Sequence, residues 1–299
     1  MRRITAALIL AFCAVPAFSS PGFLVPESAV QGGVIRIVLE EAVDVFSGEA
    51  YLIAPDGRRI STSPFFPVWN QEGTERYVSL AGVGSTYKPG TWLIRIAGIA
   101  DGIRISEERT IEILAVRFRE EEIPLNEAMS DLRQSDDPRK EEESRALWAL
   151  LSRSDTPALA ETGNFILPLP VPVRTSYYGD RRTYLYTDGQ TSGTIHFGID
   201  YAANRGTPVR AAGAGEIVFA AERILTGNTV VIEHLPGVFT LYYHMDTVSV
   251  FIGDTVGRGA EIGTVGKTGL ATGNHLHWEL RVGTVPVDPE RFLSEPLVF

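Results

Sequence analysis

Glycine spacing sets the strongest limit on how the last third of the chain can fold. Twelve glycines, at positions 206, 213, 215, 227, 237, 253, 257, 259, 263, 266, 269 and 273, cut this region into runs too short for ordinary helices. The runs between them, Glu216-Ile217-Val218-Phe219, Thr229-Val230-Val231-Ile232 and Phe239-Thr240-Leu241-Tyr242-Tyr243, are rich in β-branched and aromatic residues. Such segments bounded by turn residues read as strands. No helix-length periodic segment follows residue 173 and no repeat has a fixed period. The expected fold there is all β, with short strands and tight turns.

The preceding chain divides by pattern. Residues 24–116 carry further strand signals: Val34–Leu39, Thr91–Ile96, and Tyr51-Leu52-Ile53-Ala54 running into the turn sequence Pro55-Asp56-Gly57. Several short strands at this spacing suggest an immunoglobulin-like β-sandwich, with a spacer or binding role. Residues 117–165 read as a charged helical linker. Positions 120–143 hold ten acids against three bases, and Leu125, Met129 and Leu132 follow a helical spacing. Asp137-Pro138 reads as an N-cap with proline at N1, opening a second helix through Leu147, Leu150 and Leu151. The plain reading of the charge run is a solvated helical surface. Residues 166–299 complete the chain as the glycine-punctuated β domain.

At the amino terminus, Arg2-Arg3 precedes an apolar run from Ile4 to Phe18 that is short for a membrane span. Ala17-Phe18-Ser19 supplies a cleavage pattern, so residues 1–19 read as a signal peptide and the protein as exported to the periplasm or cell envelope. Secretion is an alternative, and lipidation at Cys13 fits less well because Phe12 precedes it. No later run reaches membrane-spanning length. Cys13 is the one cysteine, which excludes a disulfide framework and a thiolate zinc site. The net charge of −10 argues against a general nucleic-acid binder.

All five histidines fall in the β-rich end: His196, His234, His244, His275 and His277. Strand residues two or four apart share a face, so His196 with Asp200, and His275 with His277, are each expected to point one way. Thr240, Tyr242 and His244 are likewise expected to share a face. Three of these groups could make a His/His/carboxylate zinc site with one position open to water. The other histidine of the pair and His244 would then be free for acid–base or oxyanion work.

These residues carry a family resemblance. His196-Phe197-Gly198-Ile199-Asp200, Gly206-Thr207-Pro208-Val209, Gly227-Asn228-Thr229, Tyr243-His244 and Thr272-Gly273-Asn274-His275-Leu276-His277-Trp278-Glu279-Leu280 resemble the LytM/lysostaphin-type zinc endopeptidases. The likeness covers roughly residues 173–293, including Tyr177-Tyr178-Gly179-Asp180-Arg181-Arg182 at its start; Asn274 stands where proline is common. It implies one Zn2+ held by His196, Asp200 and His277, with His275 and His244 as catalytic histidines. It implies an antiparallel β fold with a groove and hydrolysis of the peptide cross-links of peptidoglycan. The alternative is a non-catalytic peptidoglycan-binding regulator that activates a separate amidase. The amino-terminal β domain is expected to position or restrain the catalytic domain, covering the groove being one way to do so. Tyr184 and Tyr186 are candidates for a transition-state tyrosine. His234, beside Leu235-Pro236-Gly237, reads as a structural or surface residue near a hairpin turn, and Glu279 as a surface strand glutamate rather than a partner of the ligands.

Overall fold

The computed structural model describes residues 22–40, 43, 45–69, 75–153 and 163–298. The leader expected over residues 1–19, with Cys13, lies outside the described residues. Eight strands form the amino-terminal part: β1 (Phe23–Leu24), β2 (Ser28–Val30), β3 (Val34–Leu39), β4 (Phe46–Ile53), β5 (Arg59–Trp69), β6 (Glu75–Gly82), β7 (Gly90–Ala100) and β8 (Ile103–Leu114). Their order is β1-β3-β6-β5-β4-β7-β8-β2. The long β5 pairs with β4 through its first half and with β6 from Phe65 onward, so it belongs to two sheets. Ile35, Ile37, Leu52, Trp92, Ile94 and Ile96 pack in one core there. The alternation of buried and exposed residues along β7 is the period-2 pattern of a strand with one inward face. The mainly β class holds, and the immunoglobulin type is a narrower reading that this strand order does not establish.

The linker contains the two expected helices, α1 (Glu127–Gln134) and α2 (Pro138–Leu151). Asn126 caps the first by accepting from the Met129 amide, and Asp137 caps the second by accepting from Arg139, with Pro138 following it. Leu147 and Leu151 of α2 pack on Val231, Phe239, Leu241 and Tyr243. Ahead of α1 the chain departs from the helical expectation. Glu120–Pro124 is a strand, β9. Three consecutive glutamates have poor strand propensity, but Glu120 and Glu121 lie opposite Arg181 and Arg182. Cross-strand opposite charges favour the pairing that propensity alone would not.

The carboxy-terminal part contains β10 (Val173–Ser176), β11 (Arg181–Leu185), β12 (Thr191–Ile195), β13 (Ile199–Ala202), β14 (Pro208–Arg210), β15 (Gly215–Arg223), β16 (Gly227–Leu235), β17 (Val238–Val248), β18 (Thr255–Val256), β19 (Glu261–Val265), β20 (His275–Val282) and β21 (Val285–Val287). A 3-10 helix, Pro289–Leu293, follows. The main sheet runs β10-β13-β20-β17-β16-β15-β18, and a second, β12-β11-β9, takes its edge strand from the linker. Trp278, Tyr201 and Tyr242 are fully buried in the core of this part.

The two parts are packed together. Val38, Phe66, Val68, Val78 and Leu80 share one apolar cluster with Leu280, Val282 and Val287. Tyr178 Oη accepts from the Ser85 amide at 3.0 Å and donates to the Pro286 carbonyl at 2.7 Å. Arg181 reaches the Ser85 carbonyl at 2.7 Å. Burying a side chain such as Phe66 or Leu80 is worth about 1.5–3 kcal/mol, so separating the parts would be costly.

Candidate metal centre and groove

Strand register brings the central groups together. Asp200 on β13 lies opposite His277 on β20, which lies opposite Tyr243 on β17. Opposed residues on adjacent strands share a face. His196 arrives differently from the extended-segment expectation: β12 ends at Ile195, the chain bends at Gly198, and β13 begins at Ile199. A Cβ at Gly198 would stand 2.4 Å from the Trp278 carbonyl oxygen and 2.8 Å from His277 Nε2. The bend therefore needs glycine for close approach.

Three donor atoms meet at one point. His196 Nε2 is 3.0 Å from Asp200 Oδ1 and 2.8 Å from His277 Nδ1, and His277 Nδ1 is 2.8 Å from the same Oδ1. All three residues are buried. Among the described residues this is the group whose ligand atoms could hold a metal ion. The remaining ring nitrogens are committed outward. His196 Nδ1 donates to the Tyr177 carbonyl at 2.8 Å, and His277 Nε2 donates to Glu279 Oε1 at 3.0 Å. Each ring therefore turns its other nitrogen toward Asp200 Oδ1, the orientation that ligating histidines take from such partners.

Three electron-rich atoms at this spacing need a positive centre among them. Burial by itself disfavours a charged His277, yet the bonds to Asp200 and Glu279 outweigh it and hold the imidazole up at about 9. Burial also works against the Asp200 carboxylate, but His196 and His277 keep it well below its ordinary range. A divalent cation satisfies the same demand by displacing the proton. Two imidazoles and one carboxylate are a donor set suited to zinc.

His275 and His244 border this point. His275 Nε2 is 3.8 Å from Asp200 Oδ1, and the His244 and His275 rings are 4.7 Å apart. Both donate Nδ1–H to backbone carbonyls, His244 to Thr268 at 2.8 Å and His275 to Gly273 at 2.9 Å. Both Nε2 atoms are thus left as acceptors. The route by which His244 arrives corrects the strand-alternation expectation. Thr240 and Tyr242 face the other way, into a buried network with His234. His244 has φ 61°, and the β16–β17 register shifts between Asn228/Met245 and Val230/Tyr242. This bulge turns His244 onto the face of Tyr243, whose ring stacks on His277 at 5.1 Å. A non-glycine residue in the left-handed region costs about 1–2 kcal/mol, a strain that here places a ring. Burial, then the neighbouring His275 and His277, hold His244 down at about 3.

Two expectations about single residues resolve in opposite directions. His234 is structural: it is buried on β16, with Nδ1 donating to the Ala214 carbonyl at 2.7 Å and Nε2 hydrogen-bonded with Thr240 Oγ1 at 2.7 Å. Glu279 is not a surface glutamate. It is 4% exposed, accepts from His277, and accepts from Arg281 Nε at 2.6 Å. Burial opposes its charge, but Arg281 and His277 hold its carboxyl at about 2. Its sharing a face with His277 was the available signal, and strand exposure was the wrong default.

The centre opens into a groove of about 660 Å³. One wall carries Thr226, Leu270, Thr272 and Asn274, and the other Tyr184, Thr194, Ile123, Leu125, Met129 and Arg133. Tyr184 thus lines the groove beneath the Arg133 guanidinium, whereas Tyr186 bonds Ser192 and Arg133 away from it. The linker supplies part of this wall. Among the described residues none of the amino-terminal β part lines the groove, so the expectation that this domain covers it is not supported. Arg182, unmarked in the sequence except within the opening motif, donates Nη2 to Asp200 Oδ2 at 2.6 Å.

Residues 194–289 match the model of Peptidase family M23. This segment is an M23 peptidase domain. Among curated relatives, the chain is 44% identical over 137 residues to a DD-carboxypeptidase/endopeptidase, Mpg, of Neisseria meningitidis, covering 45% of this chain and 30% of that protein. It is 43% identical over 93 residues to the peptidoglycan DD-endopeptidase ShyA of Vibrio cholerae, covering 31% of this chain and 22% of that one. The chain therefore spans less than a third of the length of these relatives. A crystal structure of a candidate M23 peptidase from Pseudomonas aeruginosa aligns over 88% of this chain and 94% of its own, at 25% identity and a TM-score of 0.64. The likeness to that fold extends beyond the M23 segment into the amino-terminal β part.

Proposed function

We propose that this protein is an exported zinc-dependent endopeptidase that hydrolyses the peptide cross-links of peptidoglycan. The observation that carries the reading is the convergence of His196, Asp200 and His277 at the base of a groove, bordered by His275 and His244. The DD-endopeptidase names of the relatives supply the substrate class.

In this reading His196, Asp200 and His277 hold the ion. Zinc bound there polarises a carbonyl and lowers the pKa of its water to about 7. The chain's own residues do the rest. His275 Nε2, an acceptor close to the Asp200 carboxylate, takes a proton from the attacking water and passes it to the departing amine. His244, kept neutral by burial, orients that water through Nε2. Glu279 holds the His277 ring, and the linker wall with Tyr184 excludes solvent and guides an extended peptide. The regulator reading is not favoured, because a scaffold has no use for five converging groups. Among the described residues no helix is long and apolar enough to cross a membrane.

The test uses variants of the full chain loaded with zinc and given cross-linked muropeptides. His277→Ala should lose both bound metal and hydrolysis. His275→Ala should keep the metal and lose hydrolysis. Retained hydrolysis in His275→Ala would overturn the assigned roles.

A further inference from the structure

The contact between the linker strand and the metal centre has no place in the reaction scheme above. Parallel pairing of β9 with β11 sets Glu121 directly across from Arg182. Arg182 Nε donates to Glu121 Oε2 at 3.0 Å, and Arg182 Nη2 donates to Asp200 Oδ2 at 2.6 Å. Ser176 Oγ donates to the Glu121 carboxylate at 3.2 Å. The Arg182 and Asp200 side chains are 10% and 9% exposed, and Glu121 is 34% exposed. The two oxygens of Asp200 are thereby divided: Oδ1 faces His196 and His277, while Oδ2 is taken by the guanidinium.

We propose that Glu121 and Arg182 are positioning residues for Asp200, so that a linker strand outside the M23-matched segment tunes how tightly this centre holds its metal. This rests on the zinc reading of the site. Arg182 fixes the carboxylate's rotation and keeps Oδ2 away from the ion, which makes Asp200 a one-oxygen ligand. Left alone with Asp200, the guanidinium would also neutralise the one negative charge among the three donors. Glu121 prevents this by sharing the guanidinium, so the triad Glu121–Arg182–Asp200 keeps a net charge of about −1 beside a dication. Groups that orient metal ligands typically change affinity by about 10–100-fold when removed. The planar fork of arginine suits two carboxylates at once, and lysine offers only a point charge.

The experiment measures Zn2+ affinity of the metal-stripped full chain by competition with a chromophoric chelator, and records the visible spectrum of the Co2+ form. Arg182→Met should weaken Zn2+ binding about 10–100-fold and alter the Co2+ spectrum as Asp200 gains a second free oxygen. Arg182→Lys should recover part of the affinity. Glu121→Gln, at a partly exposed site where a folding defect is easily checked by circular dichroism, should weaken binding about tenfold. The double variant Glu121→Gln/Arg182→Met should be no weaker than Arg182→Met alone, because one residue acts through the other. Wild-type affinity in Glu121→Gln, or strictly additive losses in the double variant, would overturn the inference. His277→Ala separates this from the zinc reading: wild-type affinity there would show that the donor set itself is misassigned.

Discussion

Replacing Glu279 with glutamine should produce two separable losses. Its carboxyl is held at about 2, against 4.5 for an unperturbed glutamate, by Arg281 and His277. A difference of that size corresponds to about 3 kcal/mol of native-state stabilisation, as an order of magnitude for a buried ion pair. Because the folded value lies below the unfolded one, this contribution is fully present above about pH 4.5 and is lost as pH falls toward 2. Glu279→Gln should therefore cost about 3 kcal/mol at pH 7, and the cost should shrink below pH 4.5. Denaturant unfolding followed by tryptophan fluorescence, with a chelator present, measures this directly. The second loss is metal affinity, about 10–100-fold, because His277 loses the charged acceptor that fixes its ring. Adding Arg281→Met should restore much of the stability, since removing both partners of a buried pair is often near neutral. It should restore none of the affinity. A Glu279→Gln protein as stable as wild type at pH 7, or one whose deficit is unchanged at pH 3, would show that the charged Glu279 does not stabilise the fold in this way.

Other outcomes follow from single contacts. Burial holds His234 at about 4, below its ordinary 6.5, so stability should fall by up to about 3 kcal/mol as pH drops from 6.5 toward 4. A His234→Gln variant should have a shallower slope in pH-dependent unfolding, the share from His244 remaining. Gly198→Ala should lower stability by about 1–3 kcal/mol and reduce bound zinc, read by thermal melting and metal analysis, because its Cβ meets backbone and His277. His244→Ala and His244→Gly should lose hydrolysis equally. The glycine variant should be more stable by about 1 kcal/mol in denaturant titration, since φ 61° suits glycine and strains alanine.

The site was legible where chemistry and local order coincide. His196, Asp200, His275 and His277 were marked by spacing, and the structure brings them together; their division into ligands and catalytic groups is what the resemblance implies. Several strands were equally plain, as were the Asp137-Pro138 helix start and the Gly57 turn. What failed depended on partners distant in sequence. Glu120–Pro124 looks like solvated linker until Arg181 and Arg182 are seen beside it. Glu279 looks exposed until Arg281 and His277 enclose it. His244 obeys strand alternation on paper, and only the bulge at β16–β17 turns it to the face of Tyr243 and His277. Each miss involves a charge or backbone irregularity that is unfavourable locally and stabilised by tertiary contacts.

Mass spectrometry of the products from cross-linked peptidoglycan incubated with the zinc-loaded protein tests whether His196, Asp200 and His277 hold a hydrolytic zinc. A His277→Ala control and a chelated sample run beside it. Release of cleaved cross-link peptides by the wild type alone, abolished by the chelator, is the expected result. Intact cross-links after incubation with fully zinc-occupied wild type, or cleavage that survives both the chelator and His277→Ala, would contradict it.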